Sequence, residues 1–89
     1  MTKPRISVVI PAKNSQRTIS KCLESVFNQK HPPYEAIVVD GGSTDGTRDV
    51  AEKCGAHVVI EPPHKRSAPS IGRNHGAKSA HGDILAFLD

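Results

Sequence analysis

A short apolar run that ends at an aspartate and passes at once into a helix start constrains this chain most. The run covers residues 36–39, and Asp40, two glycines and the polar sequence Ser43-Thr44-Asp45 follow it. Serine, threonine and aspartate favour the N-terminus of a helix, and glycine permits a tight turn. The pattern therefore predicts a buried strand whose carboxyl end leads directly into a helix.

The rest of the chain repeats this alternation. Apolar runs predict four strands, over residues 6–10, 35–40, 57–61 and 84–88. The first, which is nearly continuous in β-branched residues, and the fourth are expected to be buried. Apolar residues at helical spacing, with glycine and proline near the ends of these segments, predict three helices between the strands. The first has about three turns around residues 19–27, and the others cover about residues 45–54 and 68–80. Short connections between such elements predict an α/β fold, a Rossmann-like parallel sheet of about four strands with helices on both faces.

Local signals set the expected boundaries of the first two elements. Pro11 is expected to end the first strand, because proline cannot donate to a sheet. The side chain of Asn14 or Ser15 is expected to cap the first helix. Cys22 and Cys54 lie on apolar helix faces without metal-type spacing, so buried free thiols are favoured over a disulfide.

Composition narrows the class of protein and its partners. The 89 residues suffice for one small domain, and the net charge of +3 is spread along the chain. Without a basic stripe and interleaved aromatic residues, an anionic small molecule is favoured over nucleic acid as the ligand. No apolar run approaches the roughly 20 residues of a membrane span, and no signal-peptide core is present, so a cytoplasmic location is expected.

Asp40 is the first candidate for a functional role. In open parallel sheets, ligands bind at the carboxyl ends of strands, and helix N-termini favour anionic groups there. Asp40 stands at such a strand end and is a candidate for chemistry or recognition. The alternative is that Asp40 and Asp45 only cap and turn the chain.

Four motifs stand in order along the chain, over residues 6–14, 37–47, 72–76 and 82–89. From residue 5 onward the series resembles the N-terminal half of the family 2 glycosyltransferases, which have the GT-A fold. The resemblance implies a UDP- or GDP-linked sugar donor, a divalent metal (Mg²⁺ or Mn²⁺) and inverting transfer to a hydroxyl of a saccharide or lipid acceptor. A metal would stabilise the charge that develops on the leaving nucleoside diphosphate.

The resemblance also implies roles for residues near the first two strands. Pro11, Ala12 and Asn14 would form the floor under the nucleotide base and ribose. Asp40 and Gly41 would lie at the nucleoside, where a carboxylate can accept a hydrogen bond from a pyrimidine N–H. Many members of the family have a second aspartate where this chain has Gly41, so base recognition is expected to be looser or differently built.

Three further residues are assigned by the resemblance. Arg73 and Asn74 would face the donor, and Arg73 could bind its diphosphate in bidentate fashion. Asp89 would be the first aspartate of an Asp-x-Asp motif that contacts ribose or metal. One carboxylate makes a poor Mg²⁺ or Mn²⁺ site by itself.

The sequence stops at Asp89, before a second aspartate of that motif and before the half that would hold the acceptor and the general base. The expectation is therefore that residues 1–89 are the nucleotide-binding half of a glycosyltransferase domain truncated at the motif. Such a chain would contain no catalytic residue and would be inactive alone. A lipid acceptor would bring the whole enzyme to a membrane.

Other functions are weighed against this one. A non-catalytic nucleotide-binding module stays open, and so does a module that forms a homodimer through an exposed edge at the fourth strand. A dinucleotide oxidoreductase is disfavoured because no G-x-G-x-x-G motif follows the first strand. A P-loop is absent, and residues 40–46 lack the ligand pattern of an EF-hand.

Overall fold

The computed structural model describes residues 4–61 and 76–88, which form one parallel sheet with helices on both faces. The strands are β1 (Ile6–Ala12), β2 (Glu35–Asp40), β3 (His57–Ile60) and β4 (Ile84–Phe87). The helices are α1 (Ile19–Phe27) and α2 (Thr47–Lys53), and residues 76–78 are also helical. The predicted α/β class and the four predicted strands are confirmed. The expectation that the fourth strand is buried is wrong, because Ile84, Leu85 and Phe87 of β4 are exposed at the edge of the sheet.

The order of the strands determines where a ligand site can form. The sheet has the order β3-β2-β1-β4, and every neighbouring pair is parallel. The chain winds outward from β1 through β2 to β3 and then returns to the other side of β1 as β4. The winding direction thus reverses between β1 and β4, and ligands of open α/β sheets bind at the carboxyl ends beside such a reversal.

Two apolar layers hold the sheet between its helices. Even-numbered residues of β1 and β2 pack with α1 and α2 in a layer that includes Val8, Ile10, Val38 and Leu23. Odd-numbered residues form the layer on the opposite face, made by Val9, Ile37 and Val39. A Cβ atom at Gly76 would overlap the side chains of Val9 and Val39, so glycine allows the helical residues 76–78 to lie directly on this face. Helices on both faces are confirmed; residues 68–75 of the helix predicted over about 68–80 lie outside the described residues.

The first strand is longer than predicted, because Pro11 does not end it. The Leu88 N–H donates to the Val9 carbonyl at 3.0 Å, which shows that odd-numbered residues of β1 direct their peptide groups towards β4. The described pairing with β4 ends at Val9. Pro11 thus lies beyond that pairing with its nitrogen on the β4 side, and β1 continues to Ala12 through its pairing with β2.

A polar clasp joins the amino ends of β1, β2 and β4. Glu35 Oε2 accepts hydrogen bonds from the Ser7 hydroxyl at 2.6 Å and from the His81 N–H at 2.5 Å. The Ser7 hydroxyl oxygen accepts the Gly82 N–H at 2.8 Å, and a Cβ at Gly82 would lie within 3 Å of the backbone of Ser7. Partial burial alone would raise the pKa of Glu35, but the hydrogen bonds from Ser7 and His81 outweigh it and lower that pKa below its usual value.

The clasp predicts a specific acid sensitivity. Because the folded protein binds the Glu35 proton less tightly than the unfolded chain, the carboxylate stabilises the fold above the usual glutamate pKa. That contribution is lost as the pH falls through the lower folded pKa. In urea unfolding, the stability of Glu35→Gln should fall less steeply than that of the wild type between about pH 5 and pH 3. The exposed Glu24→Gln variant is the control, and equal slopes for Glu35→Gln and wild type would contradict the clasp.

Two further sequence expectations concern cysteines and membrane spans. Cys22 and Cys54 are free, as predicted, but they are half-buried against the α1–α2 layer and not fully buried. Within residues 4–61 and 76–88, no helix has the length and apolar character needed to cross a bilayer.

Candidate nucleotide site

Two loops leave the carboxyl edge of the sheet side by side. The first loop (residues 13–18) follows β1, and the second loop (residues 41–46) follows β2. The strands are paired up to Ala12 and Asp40, and one more hydrogen bond, from the Gly41 N–H to the Ala12 carbonyl at 2.9 Å, continues the pairing. The structure therefore brings together five of the predicted site residues: Pro11, Ala12, Asn14, Asp40 and Gly41.

Reciprocal hydrogen bonds lock the two loops together. Three consecutive N–H groups donate to side chains across the gap: Asn14 to Ser43 Oγ at 2.8 Å, Ser15 to Thr47 Oγ1 at 2.8 Å, and Gln16 to Asp45 Oδ2 at 3.2 Å. Two N–H groups donate in return: that of Thr44 to Asn14 Oδ1 at 2.8 Å and that of Gly46 to Gln16 Oε1 at 3.0 Å. Because these bonds satisfy backbone groups that a helix or sheet would otherwise pair, they hold the loops in one arrangement.

Asn14 acts between the loops and not as a helix cap. Its φ of 49° lies in the left-handed region, where asparagine is one of the few tolerated residues. Its side-chain oxygen is bonded to Thr44, and the Ser15 hydroxyl donates to the Lys13 carbonyl at 3.1 Å. The expectation that Asn14 or Ser15 caps the first helix through its side chain is therefore wrong. A turn over residues 16–18 separates them from Ile19, where α1 begins.

Asp40 is the buried acidic group of the edge, and its side chain has no exposed surface. Its Oδ2 atom accepts hydrogen bonds from the N–H groups of Gly42, at 3.2 Å, and Ser43, at 3.0 Å. The Nε atom of Arg48, in α2, lies 3.8 Å from the same oxygen. The other oxygen, Oδ1, is buried and has no hydrogen-bond partner in the part of the chain that the structure describes. One oxygen therefore shapes the turn, and residues 4–61 and 76–88 provide no hydrogen-bond donor to the other.

Asp45 turns the chain at the start of α2, which is the kind of role that the alternative interpretation gave to both Asp40 and Asp45. Its Oδ1 atom accepts the Thr47 N–H at 3.0 Å and also the Thr47 hydroxyl, at the start of α2. These bonds, with the Gln16 N–H, lower the pKa of Asp45 below its usual value. Asp45 is thus committed to the helix start, whereas Asp40 combines a turn with an oxygen that has no hydrogen-bond partner among the described residues.

Other residues of the site were not singled out from the sequence. Ser43 and Thr47 are buried and accept hydrogen bonds from the first loop, and Gln16 accepts one from the second loop. The sequence marked Ser43 only as a local cap, because nothing in it pairs residues about thirty positions apart. Arg48 was missed because a cation on an amphipathic helix usually faces solvent.

Three predicted residues, Arg73, Asn74 and Asp89, lie outside the described residues. No group of three or more His, Cys, Asp or Glu side chains among residues 4–61 and 76–88 could hold a metal ion. The described edge therefore does not fit a divalent metal through its own side chains. What it offers is a preorganised pair of loops with a buried carboxylate acceptor.

Comparison with known proteins adds a family and a fold. The family model described as Glycosyl transferase family 2 matches residues 7–89. A glycosyltransferase of Haloferax volcanii, AglE, is 40% identical over 99% of this chain and 31% of its own length. The poly(ribitol-phosphate) beta-glucosyltransferase of Bacillus spizizenii is 41% identical over 96% of this chain and 14% of its own length.

Solved structures agree with these sequence matches. Glucosyl-3-phosphoglycerate synthase of Mycobacterium tuberculosis, crystallised with Mn²⁺, UDP and glucosyl-3-phosphoglycerate, matches with a TM-score of 0.81 and 33% identity. The match covers 97% of this chain and 33% of that enzyme, which has also been solved with Mg²⁺ and UDP. The chain thus spans about a third or less of the length of these relatives.

Proposed function

This chain belongs to glycosyl transferase family 2 and its sheet has the GT-A arrangement, and from that premise we infer that it binds the nucleoside diphosphate of a sugar donor. The donor is a UDP- or GDP-linked sugar, and the site is the edge where the first and second loops meet. In the whole protein, this part would hold the donor while the sugar passes, with inversion, to a hydroxyl of a saccharide or lipid acceptor. The general base would come from beyond the described residues.

One observation carries the proposal: the buried Oδ1 atom of Asp40 lacks a hydrogen-bond partner among the described residues. Buried polar atoms are nearly always paired, so an acceptor left over at a ligand-binding edge favours a ligand that brings a donor. The ring N–H of uracil or guanine is such a donor. Three N–H groups of the first loop are already bonded to side chains of the second loop and of Thr47, so the edge needs little rearrangement to receive a base.

The remaining predicted residues complete the proposed site. Pro11, Ala12 and Asn14 would lie under the base and ribose, and Arg73 and Asn74 would face the diphosphate. Asp89 would contribute a carboxylate to Mn²⁺ or Mg²⁺, the ions present in the related synthase. Because the described side chains form no metal site, further ligands would have to come from the donor phosphates and from other parts of the protein.

The proposal predicts discrimination between two pyrimidine nucleotides. Uracil has a hydrogen on ring nitrogen N3, whereas cytosine presents a lone pair there, which a carboxylate repels. In calorimetric titrations at pH 7 with Mg²⁺, UDP should bind about tenfold or more tightly than CDP, the cost of losing one hydrogen bond to a charged acceptor. GDP, whose guanine base also has a ring N–H, is titrated in the same way. Its affinity relative to that of UDP shows which of the two bases the site prefers. Equal binding of UDP and CDP, or no binding of either, would contradict the proposed recognition.

A second candidate function rests on β4. Ile84, Leu85, Phe87 and Leu88 are each 40–45% exposed, an unusual concentration of large apolar side chains on one strand. Either a further part of the whole protein covers them, or two copies of this chain associate there. We expect the first, because the relatives are at least about three times as long. A molar mass in light scattering that doubles with concentration would instead favour a dimerising module.

The proposed setting is cytoplasmic. Both cysteines are free thiols, as is typical of a reducing compartment. Association of the whole protein with a membrane would follow from a lipid acceptor.

A further inference from the structure

Gly41 leaves a gap beside Asp40 that a side chain from the neighbouring strand borders. A Cβ atom built on Gly41 would lie 3.3 Å from Glu61 Oε2, 3.7 Å from the Ala12 carbonyl oxygen and 3.8 Å from Lys13 Cβ. The Glu61 carboxylate therefore reaches the place where a side chain at position 41 would begin.

The sheet register explains why Glu61 reaches this gap. In the pairing of β2 with β3, Asp40 stands opposite Ile60, so the next residues, Gly41 and Glu61, follow side by side. The Glu61 N–H donates to the Asp40 carbonyl at 2.8 Å, which anchors its backbone next to Asp40. Glu61 is half-buried, and its position is set by the same backbone pairing that positions Asp40. The absence of a side chain at Gly41 is what gives its carboxylate room.

We propose that Glu61 is a nucleoside-binding residue that supplies, from the end of β3, the second carboxylate that position 41 lacks. Asp40 and Glu61 would then present two acceptors to the nucleoside from two adjacent strands. This inference rests on the proposed function, because it names a further residue of the same site.

The proposal predicts that position 41 and position 61 compensate for each other. Glu61→Ala should weaken UDP binding about tenfold, the usual effect of removing a charged hydrogen-bond acceptor, and Glu61→Gln should weaken it in the same direction. Gly41→Asp in the Glu61→Ala background should restore most of the lost affinity. In the wild-type background, Gly41→Asp should weaken binding, because its carboxylate would be forced against that of Glu61.

The structure permits the substitution at position 41. Among the described glycines, those with positive φ are Gly42 and Gly55, so aspartate at position 41 meets no backbone strain. The closest atom to its Cβ is the flexible end of Glu61, which the Glu61→Ala variant removes. The exposed residue Glu24, in α1, offers a matched control: Glu24→Ala should bind UDP as the wild type does. Thermal unfolding of each variant checks that the fold is kept.

The outcomes separate this inference from the function on which it rests. Restored affinity in the double variant supports a nucleoside contact, since a merely structural Glu61 would not be replaced from another strand. If the wild type binds UDP and Asp40→Asn weakens that binding while Glu61→Ala does not, the inference about Glu61 is overturned and the proposed function stands. If the wild type shows no UDP binding, both are overturned.

Discussion

Asp40→Asn should lower the affinity for UDP by about tenfold to a hundredfold and reverse the preference between UDP and CDP. Asparagine can keep one oxygen for the N–H groups of Gly42 and Ser43, so the second loop should stay in place. Its amide group, however, would put an N–H₂ donor where Oδ1 of the aspartate stands. Such a donor opposes the N3–H of uracil and suits the N3 lone pair of cytosine.

The measurement is calorimetric titration of both nucleotides into wild type, Asp40→Asn and the control Asp49→Asn. Asp49 is an exposed residue of α2, so its substitution changes the net charge equally without touching the edge. Unchanged UDP affinity in Asp40→Asn would contradict a base contact at Oδ1. An equal loss of UDP affinity in Asp49→Asn would show that the effect comes from the change in net charge.

Leu23→Ala should cost about 3 kcal/mol of unfolding free energy, the largest stability effect that we expect from one substitution. Leu23 is completely buried and joins α1 to the even-numbered residues of β1 and β2. Truncation removes apolar contacts and leaves a cavity, which the surrounding β-branched side chains cannot fill by rotation. In a domain of this size, such a loss is a large fraction of the total stability.

Urea unfolding followed by circular dichroism measures this loss. The adjacent residue Glu24 is exposed, so Glu24→Ala provides the control on the same turn of α1. A midpoint for Leu23→Ala no lower than that of the control would contradict the packing of α1 on the sheet.

Much of the fold follows from patterns that are local in the sequence. Apolar runs predict all four strands, and β2 has the predicted bounds because Asp40 marks a change from apolar to turn residues. The extension of β1 through Pro11 could not be predicted, because it depends on which side of the strand faces β4. The late start of α1 could not be predicted either, since the side chain of Asn14 bonds to a residue thirty positions away.

The sequence predicted which single residues stand at the ends of strands, but not how these residues bond to one another. Asp40 is at the expected edge, yet only the turn through Gly42 and Ser43 determines which of its oxygens is bonded and which has no partner in the described part of the chain. In the sequence, Gly41 stands where many members of the family have an aspartate, so it indicated only that a carboxylate is missing. The register of β2 with β3, which no local pattern reveals, brings the carboxylate of Glu61 to the same place.

The central claim is that the edge formed by the first and second loops binds a nucleoside diphosphate. Amide NMR spectra of the labelled chain, recorded while UDP is added with and without Mg²⁺, test its location directly. The account predicts saturable shifts at Asn14 and at residues 40–43, with α1 and the clasp around Glu35 unaffected. Shifts confined to other residues, or none at millimolar UDP, would contradict it.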